Sequence, residues 1–414
     1  MPIILPFKAL RPQKQFVEAV ASHPYDVMSV KEAKDIVRDN RLSFLRIEKS
    51  EVDMQDPYDA HDDRIYEIAK ENLDGLVREK VLFQDQTPCF YIYRQKMGFH
   101  EQYGIVARVD LAEYEAGQVK KHELTTVDRE VDRIKHVLTV NANTGPVFLT
   151  YPAQEFIDGL VTRMVTRDPE YDFTADDGVS HTVWVLNAGE DISALMNAFK
   201  KVDALYIADG HHRAAAAAAV RRVKRAQNPT ARGDEAYNFV MVVIFPHNQL
   251  KIMSYNRVVR DLNGLNDSEF PRRIGSCFDI TDNFIEKSPG QCHEIGMYFR
   301  GNWYRLRAKD KSYDREDPVK VLDVSILHDN LLNPILGIQD PRTDNRIEYV
   351  SGVRGVQKLE KMVDTGEFAV AFSLYPTRME QVMAVSDAGK VMPPKSTWFE
   401  PKLRSGIFVH LLTS

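Results

Sequence analysis

The stretch that most constrains the fold is "ALYIADGHHRAAAAAAVRR", residues 204–222. Residues 204–208 are apolar and predict a buried strand, while 214–220 consist almost entirely of alanine, the residue with the highest helix propensity. Asp209 and Gly210 supply the turn between them, because glycine adopts backbone angles that other residues resist. We therefore expect the chain to pass directly from a strand into a helix here.

A helix that begins in this way predicts an anion site. Its first N–H groups have no partner within the helix, and the helix dipole attracts negative charge to them. Arg213 adds a planar fork of donors, and His211 and His212 can donate hydrogen bonds or exchange a proton near neutral pH. A capped helix with incidental histidines is the alternative. A metal site made by the two adjacent histidines is disfavoured, because neighbouring helical residues diverge by about 100°.

The length of 414 residues exceeds the roughly 100–200 of a single domain, so we expect several units. We predict an α/β (α+β) protein with an N-terminal α/β unit (1–110), a phosphate-binding core (111–262) and a C-terminal α/β unit with a cationic loop (263–414). Helical periodicity is found over 15–23, 29–39, 61–80, 127–138, 155–165 and 323–338. Strands are predicted at 89–95, 103–111, 145–151, 181–187, 238–245 and 250–259. In the second helix, Ser29 and Glu32 have the spacing of a capping box.

Composition excludes several classes of protein. The chain carries 54 Lys and Arg against 60 Asp and Glu, a net charge of −6, whereas a general nucleic-acid binder needs a basic face. Its three cysteines lack paired spacing, so no disulfide framework is expected. No apolar run approaches the roughly 18 residues of a membrane span. We expect a cytoplasmic protein with no nucleic-acid or membrane partner, and the sequence leaves a homodimer open.

A second motif lies upstream, at His122 and Glu123 in "KKHELT". With it, "ADGHHRAA" resembles the ParB/sulfiredoxin superfamily, in which a strand ends in a Gly-x-x-Arg turn that opens a helix and holds nucleotide phosphates. The closest likeness is to the free serine kinases, whose turn also reads Asp-Gly-His-His-Arg and which carry a His-Glu pair upstream. The resemblance implies a central ParB/sulfiredoxin-like domain with a mixed sheet.

The same resemblance implies roles for the residues that match. Glu123 would be the general base, and Asp209 a second catalytic carboxylate and the ligand of Mg²⁺. The implied phosphate and nucleotide ligands are Gly210, His211, His212, Arg213 and His122. The implied activity is that of a nucleotide-dependent phosphotransferase, a kinase of free L-serine or a similar hydroxy metabolite, with ATP or ADP as phosphoryl donor.

The likeness has departures. The two motifs lie 86 residues apart, further than in the kinases, so an insertion is expected between them. Sulfiredoxin has a nucleophilic cysteine at the position of His211. Because this chain has no cysteine there, the chemistry of sulfiredoxin is excluded.

Two other functions remain open at this point. The same site could hydrolyse a phosphomonoester such as phosphoserine, because the sequence does not set the direction of transfer. A ParB-like nucleotide-binding switch associated with DNA is the other alternative, although the net charge and the lack of a helix-turn-helix pattern argue against it. Neither a GxxxxGK[ST] loop nor a GxGxxG turn after a strand is present.

The block "VMPPKSTWFEPKLRSG" near the C-terminus combines cations with stiff prolines and predicts a loop that closes over a phosphorylated ligand. Its candidate residues are Lys395, Ser396, Thr397, Lys402 and Arg404. Arg346 is a further candidate for an anion clamp. This block and "SHPYDV", "KKHE.T", "TGPVFLTY", "ADGHHR" and "YNRVV" also resemble the signature of a large uncharacterised prokaryotic family of similar length. That family implies no reaction, and the roles of "SHPYDV" and "MPPKSTWFEPK" cannot be derived from it.

Overall fold

The computed structural model describes residues 2–55, 57–59 and 62–413. The chain forms two compact units: unit 1 comprises Met1–Leu250 and Pro401–Ser414, and unit 2 comprises Lys251–Glu400. Strands from before and after residue 110 share one sheet in unit 1. The three-part division at about 110 and 262 stays a prediction, and the compact units are divided at other places.

The strands follow one another along the chain in this order. They are β1 (Ile4–Leu5), β2 (Leu10–Pro12), β3 (Leu82–Gln84), β4 (Phe90–Met97), β5 (His100–Asp110), β6 (Val119–Lys120), β7 (Ala142–Asn143), β8 (Val147–Tyr151), β9 (Tyr171–Thr174), β10 (Ser180–Leu186), β11 (Leu205–Asp209), β12 (Phe239–Pro246), β13 (Lys251–Met253), β14 (Tyr255–Val259), β15 (Phe278–Asp282), β16 (Glu294–Phe299), β17 (Asn302–Ala308), β18 (Ile347–Ser351), β19 (Val370–Leu374), β20 (Trp398–Glu400) and β21 (His410–Leu411).

The α-helices follow the same order. They are α1 (Val17–Val20), α2 (Val30–Val37), α3 (Leu45–Glu48), α4 (Arg64–Arg78), α5 (Leu111–Glu115), α6 (Val127–Val140), α7 (Glu155–Met164), α8 (Gly189–Phe199), α9 (His211–Gln227), α10 (Glu269–Ile274), α11 (Asp323–Leu327), α12 (Val356–Asp364) and α13 (Met379–Asp387). A π-helical turn over His328–Leu332 continues α11, where the sequence predicts one regular helix.

Local sequence explains several of these elements. The predicted capping box is confirmed, since Ser29 accepts from the Glu32 amide and the Glu32 carboxylate accepts from the Ser29 amide. The predicted helix over 61–80 is observed as α4, while its first residue, His61, lies outside the described residues. The helix predicted over 15–23 is reduced to the single turn of α1.

Unit 1 is built on a mixed nine-stranded sheet of order β6-β11-β8-β12-β5-β4-β10-β9, with β1 on β5. The strand β12 is apolar and buried throughout, as a strand covered on both faces must be, and it pairs antiparallel with β5 and parallel with β8. Ala214, Ala217 and Ala218 of α9 belong to the same hydrophobic core. The predicted α/β class with a central mixed sheet is therefore confirmed.

Unit 2 contains a six-stranded antiparallel sheet of order β15-β17-β16-β19-β14-β18. The segment 250–259, predicted as one strand, is divided between two sheets: β13 pairs with β20, and β14 lies between β18 and β19. Among the described residues, no helix is both long and apolar enough to cross a membrane.

Candidate functional site

The predicted passage from strand to helix is confirmed. Strand β11 ends at Asp209, Gly210 takes the left-handed conformation (φ 90°), and α9 begins at His211. The Gly210 amide donates to Asp209 Oδ1 at 2.8 Å, and the first bond of the helix runs from the Ala214 amide to the Gly210 carbonyl at 3.1 Å. The amides of residues 211–213 precede that bond, so they are the orphan donors of the first turn.

Strand pairing brings the two sequence motifs together. The short strand β6 pairs in parallel with β11, so the residues after β6 arrive beside the start of α9. There, Glu123 Oε2 lies 3.5 Å from His211 Nδ1, and the rings of His122 and His211 meet edge to face with centroids 4.4 Å apart. The separation of 86 residues is thus closed by one pairing in the sheet.

His122 and His211 are buried, with 2% and 4% of their surface exposed. Burial lowers the pKa of His122 to about 4, against the opposing effect of the Ile207 carbonyl and Asp209. Burial, followed by the proximity of His122, also lowers the pKa of His211. Within the described part of the chain, neither ring nitrogen of His122 nor Nε2 of His211 has a partner with hydrogen-bond geometry. Both rings are therefore neutral at pH 7, and these buried nitrogens are unpartnered among the described residues.

These two histidines and Glu123 also form a candidate metal cluster. One donor atom from each of His122, Glu123 and His211 lies within 4.8 Å of the other two. Two imidazoles and a carboxylate are a frequent donor set for Zn²⁺, and two ligand atoms of a tetrahedral Zn²⁺ lie about 3.3 Å apart. The adjacent pair His211 and His212 does not make this cluster, since His212 Nε2 accepts from the Thr126 amide at 3.2 Å.

The predicted carboxylate Asp209 is paired with a cation from the C-terminal block. Lys402 Nζ lies 2.8 Å from Asp209 Oδ2. Burial alone would raise the pKa of Asp209, but the charge and hydrogen bond of Lys402, with the Gly210 amide, lower it to about 2. Asp209 is therefore ionised at neutral pH, and Lys402, a secondary candidate in the sequence, lies next to the start of α9.

Arg213 is held by a buried carboxylate. Its Nη2 lies 3.4 Å from Glu48 Oε2, and its Nη1 donates to the Pro146 carbonyl at 3.1 Å. A Cβ atom at Gly145 would lie 2.7 Å from the guanidinium carbon, so only glycine leaves room for Arg213 there. Burial would raise the pKa of Glu48, but Arg213 is foremost among the cations that lower it. Arg213, predicted as a phosphate ligand, thus also anchors the start of α9.

No role for "SHPYDV" can be derived from the sequence, and the structure shows what its tyrosine contacts. The Tyr25 ring lies 4.1 Å from the guanidinium carbon of Arg133 and 5.5 Å from that of Arg213. Glu48, Arg133 and Arg213 line a small cavity of about 20 Å³, which is space for about one water. Sequence reasoning missed Glu48 and Arg133, since each occupies an ordinary helix position. Only the unexplained "SHPYDV" block signalled this region.

The remaining candidates divide between the units. Arg404 belongs to unit 1, where it is 4% exposed, pairs with Asp177 and lies 3.3 Å from His181 Nε2. Lys395, Ser396, Thr397 and Arg346 belong to unit 2. Arg346 pairs with Asp344 at 2.7 Å. The roles of these residues in ligand binding stay predictions.

Comparison with known proteins adds the following. A family model described as "Protein of unknown function (DUF1015)" matches residues 4–325. None of the curated proteins matches the chain. Among similar solved structures, a conserved hypothetical protein from Pyrococcus furiosus is 16% identical, over 74% of this chain and 95% of that chain, with a TM-score of 0.35.

Two further structures are similar at the same level. A free serine kinase in complex with AMP is 14% identical, over 73% of this chain and 91% of its own, with a TM-score of 0.36. A C-terminally truncated SbnI from Staphylococcus aureus is 11% identical, over 74% of this chain and 87% of its own, with a TM-score of 0.38. The predicted likeness to a large uncharacterised family is confirmed, and free serine kinases are among the similar structures.

Proposed function

The chain belongs to the DUF1015 family, and from the chemistry at the start of α9 we propose that it is a nucleotide-dependent phosphotransferase acting on a small hydroxy metabolite, with free L-serine as the first candidate. One observation carries the proposal: the Glu123 carboxylate lies beside the first turn of α9, 3.5 Å from His211. A proton acceptor and an anion cradle therefore adjoin each other, which is what phosphoryl transfer to a hydroxyl requires.

Glu123 is the proposed general base. Its side chain is 45% exposed, so a substrate can reach it, whereas the neighbouring His211 is buried. In the proposed reaction, the acceptor oxygen forms a bond to the terminal phosphorus of ATP or ADP, the bond from that phosphorus to the bridging oxygen breaks, and the hydroxyl proton passes to Glu123. A carboxylate positioned in this way contributes about 10²- to 10⁴-fold to the rate.

The proposed phosphate ligands act mainly through hydrogen bonds rather than charge. The amides of residues 211–213 point out of the helix start. Neutral His122 and His211 add N–H donors, since their lowered pKa values keep them uncharged at pH 7. Lys402 adds one cation that the resemblance does not include. Gly210, His212 and Arg213 complete the proposed nucleotide site.

The proposed reaction calls for Mg²⁺, and Asp209 suits it in part. Mg²⁺ in such sites is held by one or two carboxylates and by the phosphates. Asp209 is ionised and 37% exposed, although Lys402 contacts one of its oxygens. Asp209 would hold the ion, which would neutralise charge on the phosphate oxygens when bound.

The test is a product assay on the full chain. The protein is incubated with Mg²⁺, L-serine and either ATP or ADP, and O-phosphoserine is quantified. A parallel reaction contains phosphoserine alone. We expect O-phosphoserine to form only with a nucleotide. Phosphate release from phosphoserine alone would replace the proposal by a hydrolase, and no turnover in either reaction would overturn it.

Substitution of the base gives the sharpest change in rate. Glu123→Gln keeps the shape of the side chain but removes the proton acceptor, so kcat should fall by about 10²- to 10⁴-fold with little change in KM. The matched control is Asp128→Asn, an exposed carboxylate in the first turn of α6, which should retain full activity. An E123Q enzyme as active as the wild type would exclude Glu123 as the base.

A further inference from the structure

Unit 2 contains a pocket that the proposed function does not use. Its volume is about 320 Å³, within the range of small-molecule sites. Its lining includes Arg257 from strand β14 and His328 and Leu332 from the π-helical turn. Pro341 and Pro393 also line it. π-helical turns are rare in proteins, and those that occur are often found at functional sites.

Arg257 is the central feature of this pocket. It is 3% exposed, and its terminal nitrogens donate to the carbonyls of Tyr255 and Lys395. Burial lowers the pKa of Arg257 to about 10, which still leaves it charged at neutral pH. A guanidinium has five N–H donors, so these two bonds leave donors for a ligand. Tyr349 covers one face, with its ring centroid 5.3 Å from the guanidinium carbon.

Arg257 differs from the other buried arginines. Five arginines are buried in the part of the chain that the structure describes, and four of them have a carboxylate within ion-pair distance. Those four are Arg11, Arg133, Arg221 and Arg404. Arg257 forms no ion pair with any described carboxylate. A buried charge without a counter-charge is costly, and an anion from outside would supply the missing counter-charge.

Two neighbours of Arg257 fit the same interpretation. The pocket also contains His328, whose Nδ1 is buried and lacks a hydrogen-bond partner among the described residues. The acidic group at the pocket, Asp340, is already bound by both Nε and Nη2 of Arg342. Asp340 is therefore neutralised locally, while Arg257 keeps N–H donors and His328 keeps an unpartnered ring nitrogen for an entering molecule.

We propose that unit 2 carries a second ligand site, in which Arg257 binds the carboxylate or phosphate group of a small molecule whose apolar part packs against Leu332 and Pro341. The bidentate geometry of a guanidinium suits either anion, and His328 Nδ1 provides a further polar contact. The inference does not rest on the proposed function, because it uses only residues of unit 2.

Hydrogen–deuterium exchange on the full chain tests this site, since peptides report on each unit separately. The probes are inorganic phosphate and benzoate, a carboxylate with a planar apolar body. We expect either probe to slow exchange in peptides covering 324–342 and 392–398. Protection by phosphate alone would assign the site to phosphate esters, and protection by benzoate alone would assign it to carboxylic acids.

Variants then show whether Arg257 is the anchor. Arg257→Met should raise the probe concentration needed for half-maximal protection by about 10- to 100-fold, because a charged hydrogen bond is lost. Arg257→Lys retains the positive charge but lacks the paired N–H donors of the guanidinium, so it should also weaken protection. It replaces the first variant in the test if Arg257→Met does not fold. The control Arg300→Met removes an exposed arginine paired with Asp267 and should change nothing. Absence of protection by both probes, or its persistence in R257M and R257K, would overturn the proposal.

Discussion

The start of α9 and the pocket around Arg257 differ in whether their cations are paired with a carboxylate. At α9 two cations are paired with carboxylates: Lys402 faces Asp209, and Arg213 faces Glu48. At the pocket, Arg257 is only 3% exposed, and its terminal nitrogens donate to backbone carbonyls rather than to any described carboxylate. The difference indicates that charges at α9 also stabilise the fold, whereas the charge of Arg257 is kept for a ligand.

The largest expected effect on stability comes from Glu48. Glu48→Gln removes the buried carboxylate that pairs with Arg213 and leaves this largely buried guanidinium without its ion-pair partner, which costs about 3–5 kcal/mol. Arg257→Met removes a cation that has no counter-charge, so it should cost much less. The free energy of unfolding, measured by urea denaturation of each variant, checks the contrast.

An exposed ion pair provides the control that shows how much of the Glu48→Gln effect depends on burial. Glu79→Gln breaks an exposed pair with Arg41 and should cost less than about 1 kcal/mol. If R257M destabilises the protein as much as E48Q does, the distinction between matched and unmatched charge is wrong.

A smaller effect is expected at Gly145. Gly145→Ala places a methyl group 2.7 Å from the guanidinium carbon of Arg213, and the displacement should cost about 1–3 kcal/mol as overpacking does. Gly189→Ala is the control, because an added Cβ there meets no atom within 4 Å. Thermal unfolding of the two variants checks this, and equal melting temperatures would show that Arg213 moves without cost.

The smallest expected effect is the pH dependence of the Asp209–Lys402 pair. The pKa of Asp209 is about 2 in the folded chain and 3.8 ordinarily, so the pair stabilises the protein fully above about pH 4. That stability is lost as the pH falls from about 4 to 2. It amounts to less than about 1 kcal/mol, because Asp209 is 37% exposed. Lys402→Gln should reduce the loss of unfolding free energy in this range, and an unchanged pH profile would argue against the pair.

Much of the fold was predictable because local patterns decide it. The apolar run before Asp209, the glycine and the alanines fix the strand, turn and helix without help from distant residues. The capping box at Ser29 and the fully apolar β12 are of the same kind. By contrast, the division of 250–259 between β13 and β14 depends on which distant strands are available for pairing.

The candidate site was predictable only where it consists of one continuous segment or matches a known motif. Asp209 to Arg213 are adjacent in sequence, and Glu123 followed from the paired motif. Glu48 carries no such signal, and "SHPYDV" marks Tyr25 without giving it a role, because both residues reach Arg213 through the packing of α3 and of the chain after β2. Arg257 lies in "YNRVV" and Pro393 in "MPPKSTWFEPK", but neither block predicts a ligand pocket, since an isolated Arg in a strand reads as an ordinary exposed charge.

The sequence by itself determined the helix start, its glycine and its orphan amides, since these follow from backbone propensities within about twenty residues. Only the tertiary structure decided which charges have partners. The Lys402–Asp209 pair joins residues 193 apart in the chain, and Arg213 meets Glu48 across 165. Burial and pairing of a charge depend on three-dimensional neighbours, so the matched charges at α9 and the unmatched Arg257 could be distinguished only in the folded chain.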